Sequence, residues 1–258
     1  MSTAILDTPV RLPPGSNVRP SLTRIVGVEL RKMVNTRAGY WLQAAIVATT
    51  LAVVIVRLIV GDAADHTFVS IVHVGLWPAA LLLPVAGILL VTSEWSQRTG
   101  MITFALVPGR LRVIGAKLVA SIVVAVAMLI ATVSIVAVGA LVAGVDGTWT
   151  DVFPLVGQSA VYLVGGMVIG VAFGMMLLSS APAIVALLTL PAGWAALASL
   201  PAFADVAPWL DTSRALGPLS QEVLSSTQWA RVGTSLAIWM LLPLLIGAWR
   251  ITRREVAP

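Results

Sequence analysis

The 258-residue chain contains no cysteine, which excludes disulfides, thiolate metal sites and cysteine nucleophiles. Histidine is nearly as scarce: His66 and His73 are too few to build a metal site. Only 10% of the residues are charged against 59% hydrophobic, with a mean hydropathy of +0.99. A soluble domain carries about 25% charged residues. No GxxxxGK[ST] run occurs, so this chain has no P-loop for ATP, and the HExxH and GxSxG patterns of metalloproteases and hydrolases are missing as well. An enzymatic role is therefore not expected. Residues 1–20 lack an apolar run, so no cleavable signal peptide is expected either.

What the sequence has instead is apolar length. Six windows, 39–60, 68–92, 114–143, 153–178, 182–200 and 229–249, are each long enough to cross a hydrocarbon core of about 30 Å. The expected fold class is an all-α polytopic membrane protein. Its expected parts are a disordered arm over 1–20, an amphipathic interfacial helix over 21–37, a six-helix transmembrane domain over 38–250 and a tail over 251–258.

Charge gives the orientation. Thirteen of the sixteen Lys and Arg residues fall before the first window, between the second and third, or after the sixth. Only Arg57, Arg214 and Arg231 fall on the other side. The positive-inside rule then places both termini in the cytoplasm of a multi-pass cell-membrane protein. The net charge of +5 is thus a topology signal, and nucleic acid is not an expected partner.

Residues 92–117, TSEWSQRTGMITFALVPGRLRVIGAK, are the longest basic interruption between two spans. Ser93 is placed to cap a short helix with Glu94 in its first turn, where the helix dipole favours an anion. Trp95, Ile102 and Leu106 share one side of that helix, and Pro108-Gly109 ends it. Upstream, Leu22, Ile25, Val26, Leu30, Met33 and Val34 form an apolar stripe, with Arg24, Arg31 and Asn35 facing away. Such a basic amphipathic helix should lie in the membrane interface. Glu29 projects into that stripe. Either it sits at the stripe's edge and snorkels, or it pairs with a cation of a neighbouring element such as Arg98, because a carboxylate leaving water needs a partner.

Gly166, Gly170 and Gly174 recur every four residues in the fourth span and permit close approach of another helix. The half-apolar outer segment 201–228, with Pro201, Pro208 and Pro218, reads as a re-entrant pair of short helices. The span centres are essentially free of Asp, Glu, Lys and Arg, so there is no ion-coupling machinery of the usual kind. If a solute is moved uphill, its energy must enter from elsewhere. His73 is either a polar group in such a path or a hydrogen-bonded interface residue.

Glu29, Lys32 and Arg37, followed after two spans by Glu94, Arg98-Thr99, Pro108, Arg110 and Lys117, resemble the membrane subunit of ABC-2 type exporters, particularly actinobacterial permeases. The chain departs from that pattern in having Thr99-Gly100 where the family has Gly-Thr. The resemblance implies a permease coupled to a separate cytosolic ATPase, which would hold ATP and Mg, with no cofactor in this chain. It also implies a second permease chain, identical or not. Glu94, Trp95, Arg98, Thr99, Gly100, Ile102 and Leu106 would belong to a coupling helix over 94–106. Glu29, Arg31, Lys32 and Arg37 would belong to an interfacial helix beside it. Spans one, two and five would line the substrate path, with His73, Trp77, Thr189 and Trp194 as candidate residues and an amphipathic or lipid-like substrate such as a drug or antibiotic. Two other classes stand beside this one: a membrane scaffold or sensor, and a lipid-modifying enzyme.

Overall fold

The structure, a computed structural model, describes residues 20–60, 67–96, 109–144 and 152–253. It is all-helical, with no strand among the described residues. The interfacial helix is α1 (Leu22–Asn35). The first five long helices are α2 (Arg37–Val60), α3 (Phe68–Ser96), α4 (Arg110–Val142), α5 (Val152–Leu177) and α6 (Ser180–Leu197). Short helical turns at Pro201–Phe203, α7 (Ala207–Leu210), α8 (Thr212–Leu216) and Gly217–Ser220 lead into a final run made of α9 (Ser226–Leu236), a π turn (Ala237–Leu241) and α10 (Leu242–Arg253). Six of these runs are long and apolar enough to cross a membrane.

Local chemistry explains the boundaries. Ser21 caps α1 by accepting the Arg24 N–H, and at Thr36 the backbone turns extended and α1 stops. The Thr36 hydroxyl then accepts the Gly39 N–H, which opens α2 two residues before the expected window. Ser225 and Gln228 form a reciprocal capping box at the start of α9. The π turn ends on the Leu242 N–H donating to Ala237, immediately before Pro243, which has no N–H to continue the ladder.

α3 and α5 form the centre. A Cβ added to Gly170 would lie 1.9 Å from the Pro84 carbonyl oxygen of α3, and one added to Gly87 would lie 2.5 Å from the Met167 carbonyl oxygen of α5. The two backbones touch because each offers a glycine to the other. Gly174 meets Ile88 at 3.1 Å and Gly166 meets only the Pro84 ring, at 3.6 Å, so the three glycines differ in how much room they have. Around this contact Ile71, Leu76, Leu83, Leu163 and Met167 are buried.

The 201–225 stretch lies against the end of the bundle at which α5 begins. Gln158, six residues inside α5, donates to the Glu222 carbonyl at 2.6 Å and accepts the Leu224 N–H at 2.9 Å. Trp239 donates to the Leu210 carbonyl at 2.7 Å. Apolar surroundings demand such partners for exposed backbone.

At the opposite, basic end, arginines close the carbonyl ends of neighbouring helices. Arg110 at the start of α4 donates to Ile251 of α10 at 2.7 Å, Arg250 of α10 donates to Met176 of α5, and Arg112 donates to Pro20 at 3.1 Å. The Ile251 and Met176 carbonyls carry the negative pole of their helices, so a guanidinium there satisfies both the hydrogen bond and the dipole, whereas Pro20 precedes α1 and takes the hydrogen bond alone.

Candidate functional site

α1 folds with Ile25, Glu29 and Met33, spaced by four, on its buried face. The apolar stripe expected there is split. Leu22 and Val34 remain about half exposed and form an outward flank, because a 14-residue helix lying on a bundle covers only the arc that touches it. Glu29 is at the centre of the covered arc, with 1% of its surface exposed.

Its partners come from three elements. One Glu29 carboxylate oxygen accepts from Lys32, one helical turn along, at 2.7 Å; the other accepts from Lys117 of α4, also at 2.7 Å. Lys32 donates in addition to Glu94 of α3 at 2.6 Å, and Lys117 lies 3.0 Å from the same oxygen. Two carboxylates and two ammoniums therefore alternate around a closed ring of zero net charge. Lys117 also donates to the Leu90 carbonyl at 3.2 Å, so each of its three hydrogens has an acceptor.

Burial is uneven around the ring. The Glu29, Glu94 and Lys117 side chains are almost fully enclosed, whereas a third of the Lys32 side chain meets the surface. Burial by itself disfavours the Lys32 ammonium, but its hydrogen bonds to Glu29 and Glu94 outweigh that and hold its pKa above the ordinary lysine value. A buried ring of this kind adds little net stability against an apolar replacement; its strength lies in what removal of one member costs. Mechanically it fastens α1 to the end of α3 and the start of α4, the two helices joined through residues 97–109.

This arrangement corrects two sequence expectations. Ser93 does not cap a new helix and Glu94 does not open one: α3 runs unbroken to Ser96, with no glycine or proline between Gly87 and Ser96 to end it. Glu94 and Trp95 consequently face inward, with Trp95 packed against the cluster of Val91, Ile114, Met175 and Ile251 rather than displayed on a loop helix. Arg98, Thr99, Gly100, Ile102 and Leu106 lie outside the described residues. Arg31 and Arg37 are exposed and take no part in the ring.

The candidate path residues separate into two groups. His73 and Trp77, in edge-on contact with ring centres 5.7 Å apart, line a cavity of about 560 Å³ together with Tyr162, Pro191, Gln221 and Trp239. His73 Nδ1 lies 2.9 Å from the Ser220 hydroxyl, which ties α3 to the segment after α8. Thr189 and Trp194 do not line that cavity. Thr189 is exposed and bonds its own helix at Val185, and Trp194 packs edge-on against Phe203. Gln158 is a functional-looking polar group that sequence reading passed over, though a lone amide within an apolar span was a visible signal.

Compared with known protein families and with curated proteins, the chain matches no family model and no curated sequence.

Proposed function

We propose that this chain is the permease subunit of an ATP-driven exporter of ABC-2 type, inserted with both termini in the cytosol and carrying an amphipathic or lipid-like substrate. A separate cytosolic ATPase, holding ATP and Mg, would drive it, and a second permease chain would complete the path. The observation that carries this reading is the buried ring of Glu29, Lys32, Glu94 and Lys117 at the root of the 97–109 connection. A push on that connection reaches α3, α4 and α1 together, because they are fastened where the push arrives. The described parts of the six spans offer no buried acid or base near their middle, which supports an outside source of energy. In this reading the helical segment between α6 and α9, held by Gln158 and His73, is a re-entrant cap over the outer end of the path.

The test is hydrolysis by the ATPase that co-purifies with the chain, reconstituted in phosphatidylethanolamine and phosphatidylglycerol vesicles. Hydrolysis should rise when the permease is present, and Arg98→Glu should remove that rise while the chain still inserts. A partner that binds but hydrolyses at the same rate with and without the permease would assign a scaffold role instead.

A further inference from the structure

A cavity of about 500 Å³ opens at the corner where α1 turns into α2, beside the ion ring. Its two ends differ in chemistry. One end is formed by Lys32, by Thr36 and by Ala38 and Gly39 of the first turn of α2; the wall farther along α2 is mostly apolar, with Leu42 and Leu89 beside Gln43. Leu42 lies five residues into α2, about 8 Å along its axis from the corner.

Three features at the polar end favour an anion. The Lys32 ammonium has three hydrogens, of which Glu29 and Glu94 take two, and the third has no acceptor among the described residues. The first turn of the 24-residue α2 lines the same space with Ala38 and Gly39 and brings the positive end of its dipole there, although the Gly39 N–H is already taken by the Thr36 hydroxyl. Arg31 and Arg37 stand exposed on either side of the corner. Glu94 also borders the cavity, but its carboxylate is already covered by both ammoniums of a neutral ring. The cavity is much larger than a small inorganic anion needs, and its apolar continuation would leave such an ion's far side dry and unfilled. An anion carried on an acyl chain fits both ends at once.

We infer that this corner is a binding site for a membrane phospholipid, its phosphate held by Lys32 and the first turn of α2 and its chain laid along Leu42 and Leu89. The site requires only that the bundle sit in a bilayer; it does not depend on transport. The lipid would belong to the leaflet at the basic end, where Arg110, Arg112, Lys117 and Arg250 lie.

Native mass spectrometry of the full chain, released from micelles with dioctanoyl phosphatidylglycerol, dioctanoylglycerol or sn-glycerol 3-phosphate as probes, tests this. The chain should retain phosphatidylglycerol and release the other two. Lys32→Gln should lower retention about tenfold, the effect of losing one charge-assisted hydrogen bond. Ala38→Trp, which plugs the exposed mouth without touching the ring, should lower it at least as much in a chain of unchanged melting temperature. Equal retention of dioctanoylglycerol would overturn the phosphate contact. Equal binding of sn-glycerol 3-phosphate would overturn the lipid, and unchanged retention in Ala38→Trp would overturn the site.

Discussion

Replacing Lys117 by methionine keeps the length of the side chain and removes one charge from the ring. Glu29 and Glu94 would then share Lys32 alone, leaving one uncompensated negative charge where both carboxyl groups are enclosed. Breaking a buried pair in this way costs about 3–5 kcal/mol. The Leu90 carbonyl, deprived of its extra donor, adds nothing comparable because its helical bond remains. Adding Glu29→Gln to Lys117→Met restores neutrality, since Lys32 and Glu94 still pair at 2.6 Å. The double variant should therefore recover part of the loss, with a coupling energy of about 2 kcal/mol in the cycle. Lys32→Met should cost roughly half as much as Lys117→Met, since solvent already reaches a third of that side chain. Urea unfolding in mixed micelles, followed by tryptophan emission, measures wild type, Lys117→Met, Glu29→Gln, their double variant and Lys32→Met. Additive losses in the cycle, or a Lys117→Met variant no weaker than Lys32→Met, would refute a closed ring acting as one unit.

Further outcomes follow from other contacts. Gly170→Ala should lose folded protein at expression, because its Cβ would enter the Pro84 carbonyl; Gly166→Ala should cost less than about 1 kcal/mol, with only a proline ring at contact distance. Gln158→Leu should leave the Glu222 carbonyl and the Leu224 N–H unpaired, destabilise by about 2–3 kcal/mol, and speed hydrogen exchange over 211–224 relative to the spans. The raised pKa of Lys32 means that its ring contribution is fully present below the unfolded value of 10.5 and lost as pH climbs through the folded one. The stability difference between wild type and Lys32→Met should thus stay level from about pH 7 to about pH 10 and shrink only in stronger alkali.

The spans were legible because a stretch of apolar residues has one use at this length; each of the six windows overlaps one of the long helical runs. Their ends were less so. Hydropathy stops counting at Thr92 and starts again near Ile114, whereas the helices continue to Ser96 and begin at Arg110, since a charge lowers hydropathy without ending a helix. The need of Glu29 for a cation could be read from one helical stripe. Its partners could not: Lys117 is 88 residues away and looked like a loop charge until α4 carried it two turns inside. The glycines of α5 announced a close contact through their spacing, but Gly87, twelve residues from the other glycine of α3, gave no sign of being the other half.

The guanidinium staples of the basic end have a consequence for biogenesis. A positive charge biases which way a nascent hairpin enters the bilayer, and Arg110 and Arg250, once that choice is made, become fasteners between helices synthesised far apart. Insertion and assembly thus share the same residues. Lysine substitutions would separate the two stages, since they keep the sorting charge while discarding the flat, forked donor that grips a neighbour's carbonyl. Chains so altered would be delivered the right way up and then fail to close.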